Sequence, residues 1–136
     1  MSSAFPLDTK ILIVDDMERM RSLVREQIRS VGYSNFYEAD NGEKALQVLA
    51  KNSSPTPFGL ILCDWNMPVM NGLDFLKVLR SHASYRTLPF LMVTAEADRE
   101  SVLAAIKAGA SNYIVKPFPP AVLDQKLKIM AQKLKG

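Results

Sequence analysis

The sequence predicts an α/β protein: a parallel sheet covered by helices on both faces, giving a three-layer α/β/α sandwich. Three observations carry this. Short apolar runs alternate with longer amphipathic stretches five times along the chain. The runs are nearly continuous and partly β-branched, and three of the five read as strands buried on both faces. Strand and helix in strict alternation call for parallel strands joined by right-handed crossovers, which leave helices above and below the sheet.

Taken in order, the strand runs are Ile11 to Val14, Phe36 to Ala39, Leu60 to Cys63, Phe90 to Val93 and Tyr113 to Val115. Between the first two, Met20, Val24, Ile28 and Val31 recur at helical spacing, and Gly32 follows as a natural stop. Asn41-Gly42 caps a second helix that runs through Leu46 and Leu49 and ends near Asn52. Leu73, Leu76 and Leu79 mark a third. Asp98 and Glu100 put acidic groups at the start of a fourth, where the helix dipole favours them, and Gly109 closes it. Leu123, Leu127, Met130 and Leu134 stripe a fifth, with Pro119-Pro120 at its first turn. The segment Lys51 to Gly59 reads as a loop, too short to link two domains. No internal repeat and no second domain is visible.

At 136 residues the chain is long enough to bury a core, and 48% hydrophobic with 23% charged residues is ordinary globular composition. A net charge of +3, without a dense Lys/Arg run interleaved with aromatics, gives no reason to expect nucleic acid. No apolar run approaches the roughly 20 residues of a membrane helix, so no membrane insertion is expected. The first ten residues lack the charge-then-apolar pattern of a secretory signal. The lone Cys63 can form neither an internal disulfide nor a zinc site, which suits a reducing, cytoplasmic compartment.

In an open parallel sheet ligands bind beyond the carboxyl ends of the strands, so the residues that follow each run matter most. Asp15 and Asp16 follow the first, Asp64 and Trp65-Asn66-Met67-Pro68 the third, Thr94-Ala95-Glu96 the fourth, and Lys116-Pro117-Phe118 the fifth. Asp40-Asn41-Gly42, after the second, reads as turn and cap chemistry. Singly, each residue has a bland reading as a helix cap or a loop edge. As a set, three carboxylates at one sheet edge repel each other unless something positive joins them. A hard divalent cation resolves this, and Mg²⁺ takes one or two carboxylates plus waters and a phosphate oxygen. Lys116 adds a point charge and Thr94 a hydroxyl donor, a combination able to hold a phosphoryl group on a carboxylate.

The segments Val14-Asp15-Asp16, Cys63-Asp64-Trp65-Asn66-Met67-Pro68, Leu91-Met92-Val93-Thr94-Ala95-Glu96, Ala108-Gly109-Ala110-Ser111 and Val115-Lys116-Pro117-Phe118 resemble those of the receiver domains of bacterial response regulators. The likeness runs from about Lys10 to Leu134 and leans toward the single-domain chemotaxis members. It implies the strand order 2-1-3-4-5 and a single receiver domain over residues 1–136, with an ordered core of about 10–134 and a short N-terminal extension over 1–9. It further implies that Asp64 takes a phosphoryl group from a phosphohistidine of a partner histidine kinase. Asp15, Asp16, a carboxylate oxygen of Asp64 and the main-chain carbonyl of Asn66 would hold Mg²⁺, while Thr94 and Lys116 contact the transferred group. In the family the bond matching Lys116-Pro117 is cis, which aims the lysine inward. Asn66 and Glu96 lie where the family tunes the lifetime of the acyl phosphate.

The same resemblance makes Thr94 and Tyr113 a coupled switch, and makes Arg99, Val102, Ile106, Tyr113 and Lys126 a partner-binding face. The residues alone leave Val102 and Ile106 open, since helical spacing equally allows them to face the sheet, and Tyr113 alone reads as a half-buried strand aromatic. The implied function is a monomeric binding switch rather than an enzyme. Its expected partners are a histidine kinase and the flagellar motor switch protein, with a phosphatase as a further candidate. Alternatives are a phosphorelay intermediate outside chemotaxis, a receiver excised from a larger regulator, and an aspartate-nucleophile phosphohydrolase. The last is disfavoured because such enzymes use Asp-x-Asp after their first strand, where this chain has adjacent Asp15-Asp16. Asn71 departs from the family's usual Asp before Gly72, and the loop from Lys51 to Gly59 is longer than in the chemotaxis members. His82 and the lysines Lys126, Lys128, Lys133 and Lys135 read as surface, Cys63 as a buried small hydrophobe, and Trp65 as a fluorescent reporter beside the acceptor.

Overall fold

The computed structural model describes residues 4–95 and 99–135. The chain runs β1 (Ile11–Val14), α1 (Glu18–Ser30), β2 (Phe36–Ala39), α2 (Gly42–Asn52), β3 (Leu60–Asp64), α3 (Gly72–Ser81), β4 (Phe90–Thr94), α4 (Arg99–Ala108), β5 (Asn112–Val115) and α5 (Pro120–Lys135). All strand pairs are parallel, and the sheet order is β2-β1-β3-β4-β5, as the resemblance implied. β3 and β4 each run one residue further than the apolar pattern, because Asp64 and Thr94 stay paired and buried at the strand ends.

The two-residue repeat of the strands splits the core into two layers. Ile11 and Ile13 of β1, Leu60 and Leu62 of β3, and Leu91 and Val93 of β4 face Val24 and Ile28 of α1 and Leu123, Leu127 and Met130 of α5. The alternate residues Leu12, Val14, Ile61, Cys63, Phe90 and Met92 face Ala45 and Leu49 of α2, Phe75, Leu76 and Leu79 of α3, and Ala105 of α4. β1, β3 and β4 are buried at every position, which explains why their sequences carry no alternation.

The helix ends follow local chemistry. The Asn41 side chain accepts from the N–H of Lys44 and caps α2. Asn71 accepts from the N–H of Asp74 and caps α3, so an isosteric amide replaces the family's usual carboxylate there without loss of the cap. Gly32 and Gly109 follow α1 and α4 at φ 111° and 107°, a left-handed conformation that glycine adopts without steric cost. The start of α4 near Asp98 lies outside the described residues.

Two features lie away from the motifs. Phe5 packs into the α1–α5 layer, its N–H donating to the hydroxyl of buried Tyr33 at 2.9 Å. Lys10 is buried beneath the loop between α2 and β3. Its ammonium donates to the carbonyls of Asn52 and Thr56 and sits over the rings of Tyr37 and Phe58.

Candidate functional site

The carboxyl ends of β1, β3, β4 and β5 meet at one edge because the strands are parallel and in near register. Val14 pairs with Cys63, Asp64 with Val93, and Thr94 with Val115. Each chemically active residue sits at or just after these last pairs. The N–H of Asp15 bonds the carbonyl of Ala39, and the N–H of Trp65 bonds that of Val93. The N–H of Lys116 bonds the carbonyl of Thr94 at 2.8 Å, and the Lys116–Pro117 bond is cis.

Carboxylate oxygens of Asp15, Asp16 and Asp64 lie within 4.8 Å of one another. Asp15 is 3% and Asp64 7% exposed, while Asp16 faces solvent. Lys116 Nζ donates to Asp64 Oδ1 at 3.0 Å and stands 3.8 Å from Asp15 Oδ2, so one ammonium serves two buried carboxylates. Burial raises the Asp15 carboxyl above its ordinary value. The N–H of Met17 pulls it back, the Asp64 charge raises it further, and Lys116 and Asp16 add smaller opposing effects. Burial also raises the Cys63 thiol well above its usual range, with the charges of Asp64 and Asp15 adding to it. Cys63 is therefore a buried hydrophobe whose thiolate is disfavoured.

Three carboxylates this close, one solvent-facing and two buried, form the all-oxygen donor set that a hard cation such as Mg²⁺ prefers, with room at the exposed side for waters. Beside them opens a cavity of about 130 Å³ lined by Trp65, Asn66, Thr94 and Ser101. A single water needs only about 10–15 Å³ of such space, so the cavity has room for a small tetrahedral oxyanion. Thr94 is buried at its rim, and Trp65 is half-buried beside it.

The loop after Asp64 is tightly constrained. The N–H of Met70 bonds the carbonyl of Pro68 at 2.7 Å, which closes a γ-turn around Val69 at φ 68°. Val69 is 77% exposed. Gly72 packs directly under the strand end, and a Cβ there would strike the main-chain oxygen of Asp64.

Of the residues assigned to the switch and partner face, Thr94 ends β4 and the others lie on α4, β5 and α5. Tyr113 is half-buried on β5, and Lys126 Nζ lies 4.4 Å from the centre of its ring. Ile106 is exposed, Val102 is half-buried, Arg99 is exposed, and Ala105 is the buried residue of α4. Leu103, as exposed as Ile106, adds an apolar group to this face that helical spacing alone did not single out. Glu96 lies outside the described residues. His82 is exposed at the end of α3, 5.5 Å from the Tyr85 ring. Arg21, which donates to the carbonyl of Asp15, was missed by sequence reasoning because the contact depends on the packing of α1 against β1.

Comparison with known proteins places the chain in a family and a fold. The family described as the response regulator receiver domain matches residues 11–128. The chain is 43% identical over 134 residues to the chemotaxis protein CheY-3 of Vibrio cholerae, covering 98% of this chain and 100% of that protein. It is 40% identical over 121 residues to the chemotaxis protein CheY1 of Helicobacter pylori, covering 89% and 95%. The solved structure of the Vibrio cholerae chemotaxis protein CheY4 superposes with a TM-score of 0.79 at 35% identity, covering 89% of this chain and 97% of that one. A response regulator receiver domain protein from Clostridium thermocellum shares the fold, with a TM-score of 0.80 at 20% identity, 93% of this chain and 97% of that one being covered. The matched span contains every strand and the whole acidic edge, and the chain belongs to the response regulator receiver family.

Proposed function

We propose that this chain acts as a single-domain phospho-acceptor switch in which Asp64 takes a phosphoryl group from a histidine kinase. The observation that carries the reading is the contact of Lys116 Nζ with Asp64 Oδ1 at 3.0 Å, next to Asp15 and Asp16 and at the edge of a polar cavity. In the transfer an oxygen of the Asp64 carboxylate forms a bond to phosphorus as the phosphorus–nitrogen bond of phosphohistidine breaks. The bonding pair stays on the imidazole nitrogen, and the product is an acyl phosphate. Asp15, Asp16, an oxygen of Asp64 and the carbonyl of Asn66 would hold Mg²⁺. When bound, this ion supplies positive charge to the equatorial oxygens of the phosphoryl group. Lys116 and the Thr94 hydroxyl stabilise the same oxygens from the protein side.

On this reading the chain is a switch and not a turnover enzyme. Thr94 drawn toward the phosphoryl group vacates space that Tyr113 fills, which biases the face of Arg99, Val102, Ile106, Tyr113 and Lys126 between two states. The names of the relatives, chemotaxis proteins at 40–43% identity, support a role in chemotaxis. On this reading the chain acts in the cytoplasm and its listener is the flagellar motor switch protein. Asn66 and Glu96 would tune the lifetime of the phosphorylated form.

Trp65 fluorescence tests the acceptor. Titration with Mg²⁺ and then with a small phosphoryl donor such as acetyl phosphate should give two successive changes in the wild type and only the first in Asp64→Asn. An unchanged second response in Asp64→Asn would sink the assignment. The listener is tested separately by pull-down of the motor switch protein, which should strengthen when the chain is phosphorylated. Binding indifferent to phosphorylation rejects that partner while leaving the acceptor intact.

A further inference from the structure

The β1–α1 loop that carries Asp15 and Asp16 is braced from outside the site by a side chain to which nothing so far gives a role. Arg21, near the start of α1, donates from Nη1 to the main-chain oxygen of Asp15 at 2.6 Å. Its Nε donates to Glu38 Oε1 on β2 at 3.1 Å. The other oxygen of Glu38 accepts from Arg25 Nη1, one turn further along α1, at 2.6 Å. The N–H of Arg21 bonds the carbonyl of Met17, and the N–H of Met17 bonds Asp15 Oδ1. The guanidinium fork therefore ties the residue that follows β1 to Glu38 on β2, while the backbone of Arg21 is anchored at the start of α1. Its exposure is 16%, the lowest of the three charged groups in this cluster.

The sign of the charge makes this arrangement informative. A cation-binding cluster gains nothing electrostatically from a fixed positive charge beside it, because that charge repels the incoming ion. Arg21 nevertheless directs its donors at a backbone oxygen and at Glu38, not at the Asp15 carboxylate, whose own oxygens are left to Met17 and Lys116. A planar fork with two fixed donor directions can hold a backbone segment in one orientation, which a flexible ammonium cannot do as well.

We infer that Arg21 is a positioning residue for the acidic site. Held in place by Glu38, it fixes the β1–α1 loop so that the carboxylates of Asp15 and Asp16 converge with that of Asp64. The inference rests on the proposal that this cluster binds a divalent cation. Outer partners that orient metal ligands change metal affinity by roughly 10–100-fold when removed, and Arg21 should fall in that range.

The test is Mg²⁺ affinity of the full chain, read by Trp65 fluorescence and by calorimetry, in wild type, Arg21→Met, Arg21→Lys and Asp16→Asn. Circular dichroism checks folding. Positioning predicts that Arg21→Met binds Mg²⁺ at least about tenfold more weakly. Loss of a nearby positive charge alone predicts tighter binding, so the two accounts differ in sign. Arg21→Lys preserves the charge but not the fork, and it should weaken binding several-fold. Should Arg21→Met fail to fold, Arg21→Lys decides the matter. Affinity equal to or tighter than wild type in either folded variant overturns the inference. If the wild type itself binds no Mg²⁺, or Asp16→Asn binds it equally well, the cation site falls and the inference with it. Wild-type binding that Asp16→Asn loses, with Arg21→Met unaffected, removes only the role of Arg21.

Discussion

Replacing Lys116 with methionine preserves most of the length of the side chain and removes its charge and donors. In the native arrangement its ammonium lies 3.0 Å from Asp64 Oδ1 and 3.8 Å from Asp15 Oδ2. At an effective dielectric of about 20, unit charges at these separations attract by roughly 5.5 and roughly 4.4 kcal/mol. Those are gross energies. The lysine side chain is 17% exposed, so it gives up much of its hydration to reach the site. What survives is the net worth of a hydrogen bond between charged partners, about 1.5–3 kcal/mol. Uptake of a proton by one of the stranded carboxylates limits the loss further. The metal-free variant should therefore be about 2 kcal/mol less stable, which lowers the unfolding midpoint by roughly 6–10 °C for a chain of this size. Mg²⁺ affinity should move the opposite way, because Lys116 and the ion compete for the same oxygens. Relief of only about 1.4 kcal/mol of repulsion tightens binding tenfold. Thermal unfolding in EDTA and a Mg²⁺ titration read at Trp65 measure the two effects. An unchanged midpoint in EDTA, or weaker Mg²⁺ binding, would refute the claim that this ammonium neutralises the acidic cluster.

The Asp15 carboxyl is raised above 3.8, chiefly by burial, so in the pH window just above 3.8 the folded state keeps a proton there that the unfolded chain has lost. Metal-free stability contributed by this group is thus present at low pH and declines as pH climbs through the window above 3.8. Asp15→Asn should remove that decline and be more stable than wild type in EDTA at neutral pH, while gaining less from Mg²⁺; an unaltered pH profile of the unfolding midpoint contradicts this. Val69 holds φ at 68°, a region costly for a β-branched residue, so Val69→Gly should raise stability by about 1 kcal/mol in denaturant unfolding. Gly72→Ala should cost about 1–3 kcal/mol and weaken Mg²⁺ binding as well, because the added methyl group pushes on the Asp64 carbonyl. Loss of stability with Mg²⁺ affinity intact would mean that the clash is absorbed away from Asp64.

The strands were legible because three of them are buried on both faces and must be apolar throughout, and because polar residues resume abruptly where each strand ends. That abruptness also exposed Asp15, Asp16, Asp64, Thr94 and Lys116 as residues gathered at one edge. Strand order was different. Spacing alone does not say which strands are neighbours, and the resemblance to receiver domains supplied 2-1-3-4-5. The burial of Phe5 could not be read, since an isolated aromatic near Pro6 has no periodicity, and its partner Tyr33 lies 28 residues away. Lys10 was equally opaque, because a charge before an apolar run gives no hint that two carbonyls and two rings await it. Arg21 belongs with these. In sequence it is one arginine of several on an exposed-looking helix, and only the packing of α1 against β1 and β2 turns it toward Asp15.

If Asp64 is the acceptor, the phosphoryl group must be found on that one carboxylate, and its position can be read chemically. The chain is incubated with Mg²⁺ and acetyl phosphate, reduced with borohydride to trap any acyl phosphate, and digested for peptide mass spectrometry. The reduced residue should be Asp64 alone, and labelling should vanish in Asp64→Asn and without Mg²⁺. Trapping at Asp15 or Asp16 in the wild type, or undiminished labelling of Asp64→Asn, would contradict it.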